Sequence, residues 1–170
     1  MKTIQSLITI RHGLLAGLVG GLAEMGWVTL YAKATGGNIA MLARGITTAA
    51  GMSAVFPAYS EAMGVTVHVV LASVLGVVLA FAWRASVANR RGSRSPYPFM
   101  LAALTVIWAI NFLVVLPLVS RGFVHLVPFT VSLTSKLLFG LASAEVFRRQ
   151  NCAAKATCEV SDKVYISERT

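Results

Sequence analysis

Four apolar segments occupy most of this chain, and their lengths limit the fold more than any other feature. They cover residues 13–31, 62–83, 98–119 and 123–147. A helix rises ~1.5 Å per residue, so each segment can cross a hydrocarbon layer of ~30 Å. Charged residues make up 12% of the chain, whereas soluble domains carry about 25%. We therefore predict an all-α fold, an integral membrane four-helix bundle.

The basic residues are unevenly divided between the two sides of these predicted spans. If the N-terminus is cytoplasmic, eleven of the fifteen Lys and Arg residues fall on the cytoplasmic side. Short loops rich in Lys and Arg stay in the cytoplasm. This predicts a bacterial inner-membrane protein with both termini on the cytoplasmic side. The net charge of +9 is then assigned to orientation and not to nucleic-acid binding. The connector after the second span holds the densest group: Arg84, Arg90, Arg91 and Arg94.

The remaining chain leaves little room for a second domain. We predict one membrane domain over residues 1–149 and a polar cytoplasmic tail over residues 150–170. Cys152 and Cys158 lie in that tail, where a reducing compartment keeps thiols free. Their role is left open.

The loop between the first and second spans, residues 32–61, is too apolar for a free connector. Its apolar residues recur at helical spacing, which predicts a short helix on the outer membrane face. A simple surface connector is the alternative, because the segment also contains threonines and glycines. The residues that carry the spacing are Ile39, Leu42, Ala43 and Ile46.

The first span carries a glycine pattern. Gly13, Gly17 and Gly21 recur at four-residue spacing with Gly20 beside them. In lipid, faces of small residues let helix backbones approach closely, so this face is predicted to pack against another helix. Glu24 follows Gly17 by seven residues and falls on nearly the same face.

Lys136 stands in the middle of the fourth apolar segment, where a charge needs a partner or a purpose. Lys136 and Glu24 each lie eleven residues from the predicted inner ends of their spans, and Asn111 lies thirteen residues from Pro98. We predict that Glu24, Asn111 and Lys136 meet near the middle of the bundle. Ser132 belongs to the same polar stripe of the fourth span. That stripe would line a hydrated path or pocket, form a packing seam, or face another subunit.

Two histidines are predicted near the outer ends of their spans, His68 on the second and His125 on the fourth. Histidines on facing helices are the minimum for axial ligation of haem b, and Glu61 nearby would complete a mixed metal site. The plainer interpretation is a pair of interfacial residues with one hydrated nitrogen each. We therefore expect no cofactor, and haem b is the alternative.

Sequence motifs of enzymes are absent, including those of zinc and serine hydrolases and the phosphate loop. The chain has one aspartate, Asp162 in the tail, which excludes a paired-aspartate protease in the membrane. We predict a non-catalytic subunit or accessory factor of a larger membrane complex, with the bilayer and other membrane subunits, or further copies of itself, as partners. The alternatives are an oligomeric proton or small-solute channel that uses Glu24 and Lys136, and a haem-bearing electron carrier.

Overall fold

The structure, a computed structural model, describes residues 2–52, 57–88, 95–119 and 128–167. All regular secondary structure within these ranges is helical. Three helices are long and apolar enough to cross a membrane: Gln5–Ala34, Ser60–Val87 and Tyr97–Leu118. The helices in chain order are α1 Lys2–Ala34, α2 Ile39–Ala49, α3 Ser60–Ala88, α4 Tyr97–Ile110, α5 Leu116–Val119 and α6 Phe129–Ser167.

The first three predicted spans lie inside α1, α3 and the α4–α5 segment. The fourth, residues 123–147, lies partly outside the described residues, and the described part forms the first half of α6. α6 carries Lys136 and Glu145 within this half and is not among the three apolar helices. It continues without interruption through Ser167, across the predicted start of the tail.

α2 is the helix that the spacing of apolar residues predicts in the first outer loop. Asn38 caps its start, with the side-chain oxygen accepting a hydrogen bond from the Ala40 N–H at 2.9 Å. The helix packs against the first turns of α3, where a side chain on Gly64 would collide with the Ala43 carbonyl. Thr47 is fully buried in this contact and donates to the Ser60 carbonyl. α2 is therefore held by α3 and is not a free connector.

A single π-helical turn, Asn111–Val115, joins α4 to α5. Pro117 has no backbone N–H, so the carbonyl four residues before it, that of Leu113, cannot receive its usual helical hydrogen bond. The Leu116 N–H instead bonds to the Asn111 carbonyl, five residues back. The helix axis thus continues past the proline with a local widening.

The long helices are antiparallel neighbours, and α1 lies between α3 and α6. α4 packs on the far side of α6. α3 and α4 meet at one end of the bundle, where the rings of Trp83 and Phe99 are 5.4 Å apart. We call this the inner end and the opposite one the outer end. The buried core includes Leu79, Met100 and Phe139.

Glycines set the closeness of α1 to α3. A Cβ on Gly17 would lie 2.3 Å from the Ala72 carbonyl oxygen, and a Cβ on Gly76 would lie 2.3 Å from the Gly13 carbonyl oxygen. No side chain fits between these backbones. Gly20 faces α6 instead of α3, and a Cβ on Gly20 would lie 2.8 Å from the Phe139 ring. The predicted single glycine face is therefore divided between two helices.

Candidate functional site

Lys136 and Glu24 are in direct contact between α6 and α1. The Lys136 Nζ lies 2.5 Å from the Glu24 Oε1, and the two side chains are 20% and 11% exposed. Glu24 lies in the interior of an apolar helix and Lys136 in the apolar first half of α6, where an isolated charge is strongly disfavoured. The contact gives the acid and the base a partner each among apolar surroundings.

Three further contacts set the register that brings this pair together. Towards the inner end, the Ser143 Oγ donates to the Ala16 carbonyl at 3.0 Å. Towards the outer end, the Trp27 Nε1 donates to the Val131 carbonyl at 3.2 Å. Glu24 and Lys136 lie between these two contacts. The third contact is the close approach of Gly20 to α6, one turn from Glu24 towards the inner end. The antiparallel packing therefore places the acid opposite the base.

Ser132 and Ser135 extend the polar cluster on α6, and both are buried. The Ser135 Oγ lies 2.8 Å from the Ser132 carbonyl oxygen and 3.4 Å from the Glu24 Oε1. A hydroxyl has one proton, so the shorter bond takes it and Glu24 depends on Lys136 for a strong donor. The Trp108 Nε1 donates to the Ser132 Oγ at 3.0 Å. The cluster thus extends from α1 across α6 to α4.

Sequence reasoning did not assign Ser135 or Trp108 to this cluster. Ser135 could have been found as the neighbour of Lys136, and Trp108 as the tryptophan farthest from a span end. An indole N–H deep in an apolar helix needs an acceptor, which is the signal that pointed to a polar neighbour.

Asn111 does not join the cluster, so its predicted place in the bundle centre is wrong. Its side chain is exposed at the start of the π-helical turn. The register of α4 against α6 is given by two contacts, Trp108 with Ser132 and Tyr97 with Glu145. In this register Lys136 lies at the level of Leu104. Asn111 lies about two turns, or ~10 Å, farther towards the outer end. The inner end of α4 lies level with Glu145, whereas α6 continues farther inward through Ser167. Counting from Pro98 could not reveal that offset.

His68 lies on α3, half-buried, with its Nε2 buried and without a hydrogen-bond partner. His125 lies outside the described residues, so the predicted His68–His125 pair is not tested. Glu61, the third ligand considered, pairs with Arg44 at 2.6 Å. Among the described residues, no three His, Cys, Asp or Glu side chains come together as a metal site would need. Cys152 is a free, exposed thiol.

A second charged cluster lies near the inner end of the bundle. Glu145 accepts hydrogen bonds from Arg148 at 2.7 and 2.8 Å, from Arg149 at 2.7 Å, and from the Tyr97 hydroxyl. The Tyr97 contact ties the start of α4 to α6, whereas the arginine contacts lie within α6.

Arg84, predicted as a topology residue, connects α3 to α1 at the same end. Its guanidinium donates to the Gln5 side chain at 2.6 Å and to the Thr9 hydroxyl at 2.9 Å. The other predicted topology residues, Arg90, Arg91 and Arg94, lie outside the described residues.

The chemistry available to the central cluster is that of hydrogen bonding and proton exchange. Glu24 uses one carboxylate oxygen for Lys136, and its Oε2 is buried without a hydrogen-bond partner. A carboxylate oxygen in that position accepts from any donor that reaches it, such as water or a protonated side chain.

Comparison with known proteins adds no identification: no family model, curated protein or solved structure matches this chain. The function is therefore inferred from its own residues.

Proposed function

We propose that this chain crosses a bacterial inner membrane four times and serves as a non-catalytic subunit or accessory factor of a larger membrane complex. The three apolar helices support membrane insertion, and large apolar side chains such as Leu22, Leu71 and Leu118 are more than half exposed, as lipid-facing residues are. α6 is proposed as the fourth span. It packs along α1, and its one lysine in the apolar part is neutralised by Glu24.

The distribution of charge supports cytoplasmic termini. Arg11, Arg84, Arg148 and Arg149 are exposed around the inner end of the bundle. The inner group keeps an excess of positive charge beside its one carboxylate, Glu145, whereas the outer end has the exposed Lys33 and an Arg44 that is paired with Glu61. Under the positive-inside rule the inner end faces the cytoplasm. Reporter fusions to each loop and terminus test this orientation, and a periplasmic C-terminus contradicts it.

The proposal of a lateral partner rests on the position of Asn111. Its amide is exposed on the α4–α5 segment, among Ile110, Leu113 and Val114, which are 55%, 55% and 54% exposed. In a lipid environment an amide on an apolar face favours a hydrogen bond to a second helix. We propose that this face contacts a transmembrane helix of another subunit that presents a hydrogen-bonding side chain.

The experiment is purification in mild detergent followed by native mass spectrometry, with wild type compared with Asn111→Leu. The variant is expected to lose the associated subunit because leucine keeps the size of the side chain and removes its hydrogen bonds. Thr105→Val is the matched control, since the Thr105 hydroxyl is exposed on the same helix but already bonds to the Leu101 carbonyl at 2.8 Å. A lone monomer in the wild type, or equal association in all three proteins, contradicts the proposal.

A second candidate function is the movement of protons or a small solute through an oligomer of this chain. The observation that favours it is the partly buried Glu24–Lys136 pair, in which one carboxylate oxygen is buried without a hydrogen-bond partner. Such intramembrane ionisable pairs mark proton and ion pathways in many membrane proteins. Flux into liposomes is expected to disappear in Glu24→Gln/Lys136→Met, and unchanged flux rejects this candidate.

A further inference from the structure

Two buried polar atoms without hydrogen-bond partners lie next to the contact between α1 and its neighbours. They are the Oε2 of Glu24 and the Nε2 of His68. Unsatisfied buried polar atoms are uncommon because each loses its hydration without replacement, and a trapped water is a frequent explanation. Two such atoms in one part of a bundle suggest a shared partner.

The helix directions bring these two side chains towards each other. The α1–α3 register places Gly21 beside His68, whose Nε2 is 3.8 Å from the position of a Cβ on Gly21. Side chains on a helix lean towards its N-terminus, which is the inner end for α1 and the outer end for α3. Glu24, one turn farther out than Gly21, therefore leans back towards His68, and His68 leans towards Glu24.

His68 also faces the interior of the bundle. Leu75 and Leu79 follow it by seven and eleven residues, which is within about 20° of the same direction around α3. Leu79 is buried in the core, and Leu75 packs against it. The imidazole therefore lies on the core side of α3, with its Nε2 next to Gly21 of α1.

Gly21 has no space for a side chain of its own, since a Cβ there would lie 2.8 Å from the Ala72 methyl carbon, and this lets α3 pack closely against α1. Its nearest neighbours on the side of a Cβ are the Ala72 methyl and the His68 Nε2. A buried water needs polar partners, and the Glu24 Oε2 and the His68 Nε2 are two buried atoms that still need one.

We propose that one buried water molecule bridges the His68 Nε2–H and the Glu24 Oε2, so that Lys136, Glu24 and His68 form a single hydrogen-bonded chain across α6, α1 and α3. The imidazole donates from Nε2–H to the water, and the water donates to the carboxylate, which gives each atom the partner that its chemistry requires. No proton is gained or lost in this arrangement.

Among the residues that the structure describes, no charged side chain other than Lys136 bonds to Glu24 or His68. α4 contributes Leu104 and Trp108 near the level of Lys136, and the Trp108 indole is already bonded to Ser132. Among the described residues, Lys136 is the cation that contacts Glu24. The water site extends the second candidate function by adding His68 to the Glu24–Lys136 pair, but its test measures a hydrogen bond and not flux.

The test is solid-state NMR of the whole protein in lipid bilayers with 15N-labelled histidine. Replacement of the imidazole by a phenyl ring in His68→Phe identifies the His68 signals among those of the three histidines. We expect His68 to carry its proton on Nε2, with magnetisation transfer between that proton and a slowly exchanging water. An Nδ1–H tautomer overturns the proposal, and so does an Nε2–H that lacks any contact with water.

A variant then asks whether Glu24 is the acceptor. Glu24→Met/Lys136→Met removes both charges together, because a lone buried charge threatens folding more than the loss of a pair. The His68 water contact is expected to be lost in this variant and kept in Ser73→Ala, whose hydroxyl bonds within α3 to the Val69 carbonyl at 2.8 Å. A His68 signal that is the same in wild type and in the Met/Met variant overturns the link. Because flux plays no part in this readout, the water bridge and the transport candidate can fail separately.

Discussion

Helix α1 meets α3 through glycines and meets α6 through polar side chains. On the α3 side, Gly13, Gly17 and Gly76 bring the backbones into contact. On the α6 side, Glu24 bonds to Lys136 and Ser143 bonds to the Ala16 carbonyl. In lipid neither contact is driven by apolar burial, because lipid tails are as apolar as the side chains. The first contact is therefore limited by size, and the second depends on charge and hydrogen bonding.

The largest effect on stability is expected where a side chain is added between the backbones of α1 and α3. Gly17→Leu is expected to prevent assembly of α1 with α3, since even a Cβ would lie 2.3 Å from the Ala72 carbonyl oxygen. Gly26→Leu is the matched control on the same helix, because a Cβ there meets no atom within 4 Å. Circular dichroism during thermal unfolding in detergent measures both. Equal unfolding profiles for the two variants would show that the α1–α3 contact is looser than described.

Breaking the ion pair from one side predicts the next largest effect on the α6 contact. Lys136→Met leaves Glu24 buried without a strong donor, which is expected to lower the free energy of unfolding by about 3 kcal/mol. Glu24→Met/Lys136→Met is expected to recover most of that loss, because no lone charge remains. Reversible unfolding in mixed detergent measures the three proteins. A double variant as unstable as the single one would mean that the pair itself, and not the stranded charge, stabilises the bundle.

A smaller effect is predicted where the α6 contact uses a neutral group. Ser143→Ala removes the bond to the Ala16 carbonyl, and hydrogen bonds between membrane helices contribute about 0.6 kcal/mol on average. Ser86→Ala serves as the control, because the Ser86 hydroxyl bonds within α3 to the Ala82 carbonyl at 2.9 Å. The same unfolding measurement separates them. If both variants match the wild type, Ser143 acts through its small size alone.

Much of the helical architecture could be predicted because hydrophobic length is a local property. Three apolar segments predicted three helices, and the spacing from Ile39 to Ile46 predicted α2. The continuation of α6 through Ser167 was not predicted, because the sequence loses its apolar pattern there while the backbone stays helical. The π-helical turn before Pro117 was also missed, although a proline in an apolar span is a signal for a local change of hydrogen bonding.

The site was predictable where two helices share a common end. Counting from Gly13 and from Phe147 placed Glu24 and Lys136 at one depth, and the structure has them in contact. The same count failed for Asn111, because α4 is offset along α6 and its exposed amide lies about two turns away. An offset between helices depends on how side chains such as Tyr97 and Trp108 find partners, which no count along one chain reveals.

The sequence by itself determined the helical class, the apolar lengths and the presence of a buried acid and base, because each follows from residue type and local spacing. Tertiary structure alone decided which glycines face which helix, where α4 sits against α6, and which buried atoms remain without partners. Gly17 and Gly20 illustrate the difference, since one packs on α3 and the other on α6. Packing geometry links residues far apart in the chain, and it depends on every close contact at once.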